Sequence, residues 1–163
     1  MRFVMIGQPE GAFAALQTDL AAAGFSRADN LPADLLIALP QDADAAIVGI
    51  ENFADVVVAG QEALVVNILH GCAQDDWPGA RAASLIWAFT RHAALAWAPR
   101  RIRINAIGLG VSPKLLSEPS EASGQPAGPS PAVPATPEDI AATVRAMWNF
   151  PSMTGQLIRL GAP

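Results

Sequence analysis

Apolar positions along this chain fall in short solid blocks, each followed by a longer stretch of mixed character. That is the pattern of a parallel sheet buried on both faces and linked by helical crossovers. Arg2 to Ile6 predicts a first strand, ended by Gly7. PEGAFAALQTDLAAAG, Pro9 to Gly24, predicts a helix. Pro9 and Glu10 suit its first turn, Ala15, Leu16, Leu20 and Ala23 form an apolar stripe, and Gly24 follows its end. ADLLIALP predicts a second strand, stopped by Pro40. The stretch Gln41 to Gln61 reads both ways. AAIVGI and VVVAG have strand composition, but the spacing between the flanking strands favours a helix, placed over roughly Glu51 to Gly60. EALVVNILHG predicts a further strand, apolar nearly throughout.

Ala80 to Ala98 predicts the longest helix, free of internal Gly and Pro and stopped by Pro99. Leu85, Ile86, Trp87, Phe89, Leu95 and Trp97 cannot share one face of it. Part of this helix is therefore expected to meet another subunit, with Trp87, Phe89 and Trp97 as the interface aromatics. RIRINAIGLG predicts a strand. Ser117 to Ala135 carries five prolines and is expected to be a mobile loop. Thr136 as N-cap, Pro137 in the first turn and Glu138 and Asp139 against the dipole predict a helix, and GQLIRL a last strand. The order is α/β and mostly parallel, with one domain expected over residues 1–163.

Composition narrows the chemistry. The formal charge is -5, with no basic block, which argues against nucleic-acid binding. One cysteine, Cys72, excludes an intramolecular disulfide, and two histidines, His70 and His92, leave little for a metal site, so none is expected. No apolar run reaches the ~18 residues of a membrane span, and the N-terminal stretch is too short for a signal sequence. A cytoplasmic location without membrane contact is the expectation. There is no tyrosine, and Lys114 is the only lysine. Any mechanism that needs a tyrosine acid or a tyrosine–lysine pair is excluded.

Three strings, in order, carry a resemblance. RHAALAWAPRRIRINAIGLG, Arg91 to Gly110, is similar to the run TRALALELAPRGIRVNAIAPG of the short-chain dehydrogenase/reductase family. TPEDIAATVRAMW with MTGQLIRLGAP resembles that family's closing segment, and VVNILHG its serine-bearing strand. IGQPEGAF stands where the family has its glycine-rich nucleotide loop. The likeness is strong over Ala80 to Pro163 and patchy over Met1 to Gly71. It implies a reduced Rossmann-like fold, with a mostly parallel sheet and helices on both faces. It also implies assembly through the two longest helices and through the last strand and helix.

The departures from the family's pattern bear on function. Counting back from APR, Gly79 takes the tyrosine position and Ala83 the lysine position, and the serine position falls near Leu69–His70. Neither Gly79 nor Ala83 can move a proton. ALPQ, Ala38 to Gln41, replaces the family's NNAG. Gly7 and Gly11 remain in the nucleotide loop as candidate cofactor contacts, but Phe13 replaces the third glycine and Glu10 adds a negative charge. Gly24 to Asp34 leaves no room for the strand–helix–strand of the adenosine half, with Asp29 the one candidate for the ribose hydroxyls.

His70 is the one candidate acid–base group, at the end of a parallel strand. His92 reads as an exposed or interface residue, Cys72 as a small buried hydrophobe and Lys114 as solvated. Two functions follow. The first is a non-catalytic subunit that serves in oligomer assembly, as a homodimer or higher homo-oligomer or with a full-length dehydrogenase. In that reading no cofactor is expected, and any NAD(P) binding is weak. The alternative is a small NAD(P)-linked oxidoreductase or ligand-binding enzyme that uses His70.

Overall fold

Strand β1 (Arg2–Ile6) opens the chain, and helix α1 (Leu16–Ala22) follows it. The computed structural model describes residues 1–7, 14–70, 77–109 and 135–161. Then come β2 (Ser26–Arg27), β3 (Leu35–Ala38), α2 (Ala43–Val56), β4 (Ala63–His70) and α3 (Trp77–Trp97). A 3-10 turn at Ala98–Arg100, where Pro99 ends the helix, leads into β5 (Ile102–Leu109). Helix α4 (Pro137–Asn149) and β6 (Leu157–Leu160) complete the order.

The strands form one sheet in the order β2-β1-β3-β4-β5-β6, and every pairing is parallel. Side chains of β4 alternate across it. Leu64, Val66 and Ile68 face α1 and α4, where they pack with Leu16, Leu20, Ile140 and Val144. Ala63, Val65 and Leu69 face α2 and α3, against Phe53, Ala93 and Ile86. Each fully buried Leu, Val or Phe contributes about 1.5–3 kcal/mol, so the two faces of the central strands hold most of the stability. The predicted α/β, mostly parallel architecture with helices on both faces is the one observed.

Helix α1 begins at Leu16 rather than Pro9 and α3 at Trp77 rather than Ala80, and two further elements differ from the sequence reading. Helix α2 begins at Ala43, not near Glu51, because Asp42 caps it: its carboxylate accepts from the backbone N–H of Asp44 at 2.9 Å and of Ala45 at 3.3 Å. That cap outweighs the strand propensity of the β-branched residues. Strand β2 is the second difference. Phe25 is buried in the α1–α4 core and holds Ser26 and Arg27 against β1, where Ser26 N donates to Met1 O and Ala28 N to Phe3 O. One short strand thus fits between Gly24 and Asp34. The helix and further strand for which this interval has no room are absent among the described residues. The expected mobile loop lies outside the described residues except for Ala135.

Helix α4 follows its sequence signals. Thr136 Oγ1 accepts from Asp139 N at 3.2 Å, and Asp139 Oδ2 accepts from Thr136 N at 2.9 Å, a reciprocal capping box. The backbone bond from Thr136, then its hydroxyl, hold the Asp139 carboxyl below its ordinary range. A lowered folded-state value means stabilisation that is present above the ordinary carboxylate range and fades as the pH falls through the folded value. Thr136→Ala should cost about 1 kcal/mol in urea unfolding at neutral pH. The difference from the unaltered chain should shrink in acid.

Candidate functional site

In a parallel sheet of this kind, ligands collect beyond the carboxyl ends of the strands, at the point where the strand order reverses. Here that point lies at the end of β1, with β2 on one side and β3 on the other. Gly7 stands there with φ +86. A Cβ on it would lie 2.4 Å from the carbonyl oxygen of Leu39 and 3.1 Å from the Leu39 Cβ. Leu39 N donates to Ile6 O at 2.8 Å, and its side chain is buried in the α1–α4 core. Gly7 is therefore required by the closure of β1 on the segment after β3, whatever binds nearby. Its retention is no sign of a nucleotide. Glu10, Gly11 and Phe13 lie outside the described residues.

His70 is the last residue of β4, at the expected edge, but its side chain lies outside the described part of the structure. Cys72 and Lys114 lie outside it too. Three residues before His70, the sequence reading passed over Asn67, fully buried in the middle of the same strand. Its Nδ2 donates to Thr90 Oγ1 at 2.9 Å, and that hydroxyl donates to Ile86 O at 2.7 Å, which ties β4 to α3. Asn67 Oδ1 has no protein partner among the described residues. The signal for this tie was a single amide in an apolar run, and it reads as easily as a polar surface position.

Cavities lined by described residues stand away from this edge. One, of about 260 Å³, opens at the other end of the sheet beside Glu62, Arg101, Arg103 and Thr154. The second, of about 280 Å³, lies between α1 and α4 beside Asp19, Ala23 and Glu138. Among the described residues no group of His, Cys, Asp and Glu is placed to hold a metal ion. No described helix is long and apolar enough to cross a membrane. Asp29 is exposed just beyond β2.

Comparison of the sequence with protein-family models gives no match, and comparison with curated proteins gives none. Solved structures do match. A putative short-chain dehydrogenase/reductase from Sinorhizobium meliloti 1021 aligns with a TM-score of 0.67 at 12% identity, over 98% of this chain and 94% of its own. A 3-ketoacyl-(acyl-carrier-protein) reductase from Brucella melitensis, complexed with NADH, gives 0.61 at 12% identity over 98% and 96%. The 3-alpha-hydroxysteroid dehydrogenase of Pseudomonas sp. B-0831, also with NADH, gives 0.59 at 16% over 98% and 94%. The fold is that of the short-chain dehydrogenases/reductases.

On this dehydrogenase fold, α3 is the helix that the resemblance assigns to the tyrosine and lysine. Gly79 lies in its first turn. Ala83, which the sequence resemblance aligns with the lysine, is buried against Ala43, Ala46, Leu69 and Ile86. A methyl group there offers a dinucleotide neither a cation nor a ribose donor. Further along, the expected interface aromatics turn partly inward. Trp87 packs against the cluster around Ile86, and Phe89 and Trp97 against the α2–α3 core, their rings edge to face at 5.8 Å. The outward face is carried instead by Arg81, Leu85, Ala88, His92 and Leu95, with Leu95 82% exposed. His92 is exposed, as expected.

Proposed function

We propose that this chain is a non-catalytic subunit of short-chain-dehydrogenase type that serves in assembly, with itself or with an active relative. The observation that carries this reading is the pairing of two facts on α3. The residue that the resemblance puts at the position of the proton-handling lysine is a buried alanine, Ala83, in a chain without tyrosine, while Leu85 and Leu95 face outward on the same helix. A side chain that only packs cannot take or give a proton. An apolar helix face held out to solvent is what an interface needs. The neighbours complexed with NADH carry the same fold, and here binding of that cofactor is proposed to be weak or absent.

The test is direct. Purified protein is offered NADH and NADPH with panels of carbonyls and alcohols, and both dinucleotides are titrated by calorimetry. No turnover is expected, and no dissociation constant in the low micromolar range. Turnover that disappears in His70→Ala would establish the alternative, a small oxidoreductase working through His70. Turnover of either kind would end the non-catalytic reading.

A further inference from the structure

Opposite charges stand at the amino end of the sheet without meeting. Glu62 immediately precedes β4, and Arg101 and Arg103 flank the first residue of β5. All three line the cavity of about 260 Å³, together with Ala98 and Pro151. Arg103 is 8% exposed, and its guanidinium is held by Met147 O, Trp148 O and Phe150 O. A planar fork tied to those carbonyls cannot swing across to Glu62. The side chains of Glu62 and Arg101 have no hydrogen-bond or ion-pair partner among the described residues. The Glu62 carboxylate acts on Arg103 only through space. An anion and two cations thus share one cavity, and no bond closes it.

Arg101 carries a second sign. It is the one residue other than glycine at positive φ among the described residues, at +61. The 3-10 turn that ends α3 imposes this conformation, with Arg101 N donating to Ala98 O at 3.1 Å. The family run TRALALELAPRGIRVNAIAPG has glycine at this point, and glycine enters the left-handed region without strain. Arginine does not. Its side chain is exposed and unpaired, so packing gives no reason for it. What it supplies is positive charge at the rim of the cavity.

We propose that this cavity binds a free aliphatic amino acid in its zwitterionic form. The carboxylate lies on Arg101 and on the Arg103 N–H groups that the α4 carbonyls leave unused, since a guanidinium matches a carboxylate in planar geometry. The ammonium lies on Glu62, and the side chain against Ala98 and Pro151. A plain anion meets the Glu62 carboxylate, and a plain amine meets both guanidinium groups. A ligand with both charges satisfies both sides. The volume falls below the ~300–1,000 Å³ of sites for drug-sized ligands and suits a molecule of amino-acid size. The cavity stands at the opposite end of the sheet from the edge where a dinucleotide would collect. The inference therefore holds or fails independently of the assembly reading.

Calorimetry and amide chemical shifts test this on the full chain. The probes are L-leucine, isocaproate (the same skeleton without its amine) and isopentylamine (without its carboxylate). L-leucine should bind saturably at millimolar concentration or below, with the largest shifts at Glu62, Arg101 and Thr154. The other two should bind on the order of tenfold more weakly, or not at all. Arg101→Gly should weaken L-leucine binding on the order of tenfold or more. Its urea midpoint should hold or rise, because glycine relieves the strained backbone. Lost binding is thereby separated from lost folding. Glu62→Gln should weaken L-leucine by a similar factor and strengthen isocaproate, because the repelling carboxylate is gone. No saturable binding of L-leucine overturns the inference. Binding that neither variant changes also overturns it and places the ligand elsewhere. Isocaproate bound as tightly as L-leucine by the unaltered chain overturns the zwitterion.

Discussion

Gly7→Val should remove about 4 kcal/mol of folding stability, read as a lower urea midpoint with an unchanged slope. Two causes add. At φ +86 a β-branched residue is strained, and its Cβ would need to occupy a point 2.4 Å from the Leu39 carbonyl oxygen. That oxygen is backbone and cannot swing aside, so β1 and the segment after β3 must separate where Leu39 N bonds to Ile6 O. Gly7→Ala should lose less, since alanine tolerates the positive φ better, although the same contact remains. The experiment also bears on function. A ligand that binds only the folded state raises the midpoint by mass action. Under the assembly reading, millimolar NADH should leave the midpoints of the unaltered chain and of Gly7→Ala where they were.

Arg103→Met should cost about 3–4 kcal/mol. The guanidinium of this nearly buried β5 residue closes the end of α4. Its Nη1 donates to Met147 O at 2.6 Å and Phe150 O at 3.1 Å, and its Nη2 to Trp148 O at 3.2 Å. These include carbonyls that a helix end leaves without intrahelical partners. Methionine fills the volume and satisfies none of them. Burial lowers the Arg103 guanidinium from its ordinary value, and the Glu62 carboxylate acts in the opposite direction. The group remains charged across working pH. The loss should therefore be equal at mildly acidic and mildly alkaline pH. Arg103→Lys should recover less than half of it, because an ammonium cannot reproduce the planar fork.

The sequence was legible where one local signal had one meaning. Thr136, Pro137 and Asp139 can only start a helix, and α4 starts there. The apolar runs of β4 and β5 are long enough to be sheet centre and nothing else. Legibility failed where signals competed or were silent. Asp42 announces α2, but Ile47, Val48 and Ile50 within it are β-branched, and the cap together with the packing of Ile50 and Phe53 on the sheet decides for a helix. Ser26 and Arg27 are polar and exposed, so nothing in their side chains announces β2; a backbone pairing with β1 makes it a strand. On α3, apolar residues occur all round, so the sequence required an outward apolar face without saying which one. The sheet decided it by taking Ile86, Ala93 and Ala94 and partly covering Trp87, Phe89 and Trp97. The candidate site was legible mainly through what it lacks. The Asn67–Thr90 tie joins residues far apart in sequence, and no local pattern reports that.

The strand order has a consequence for how the chain comes into being. After β2, each strand joins the sheet at the same advancing edge: β3 beside β1, β4 beside β3, β5 beside β4, β6 beside β5. No late strand must insert between two that are already paired. A chain emerging N-terminus first from the ribosome can therefore add each strand to a template that already exists. Parallel pairings are slow to form from a fully unfolded state, because each closes a long loop. Synthesis supplies them one at a time and in the needed order, so the yield of native protein should be higher from translation than from dilution out of denaturant.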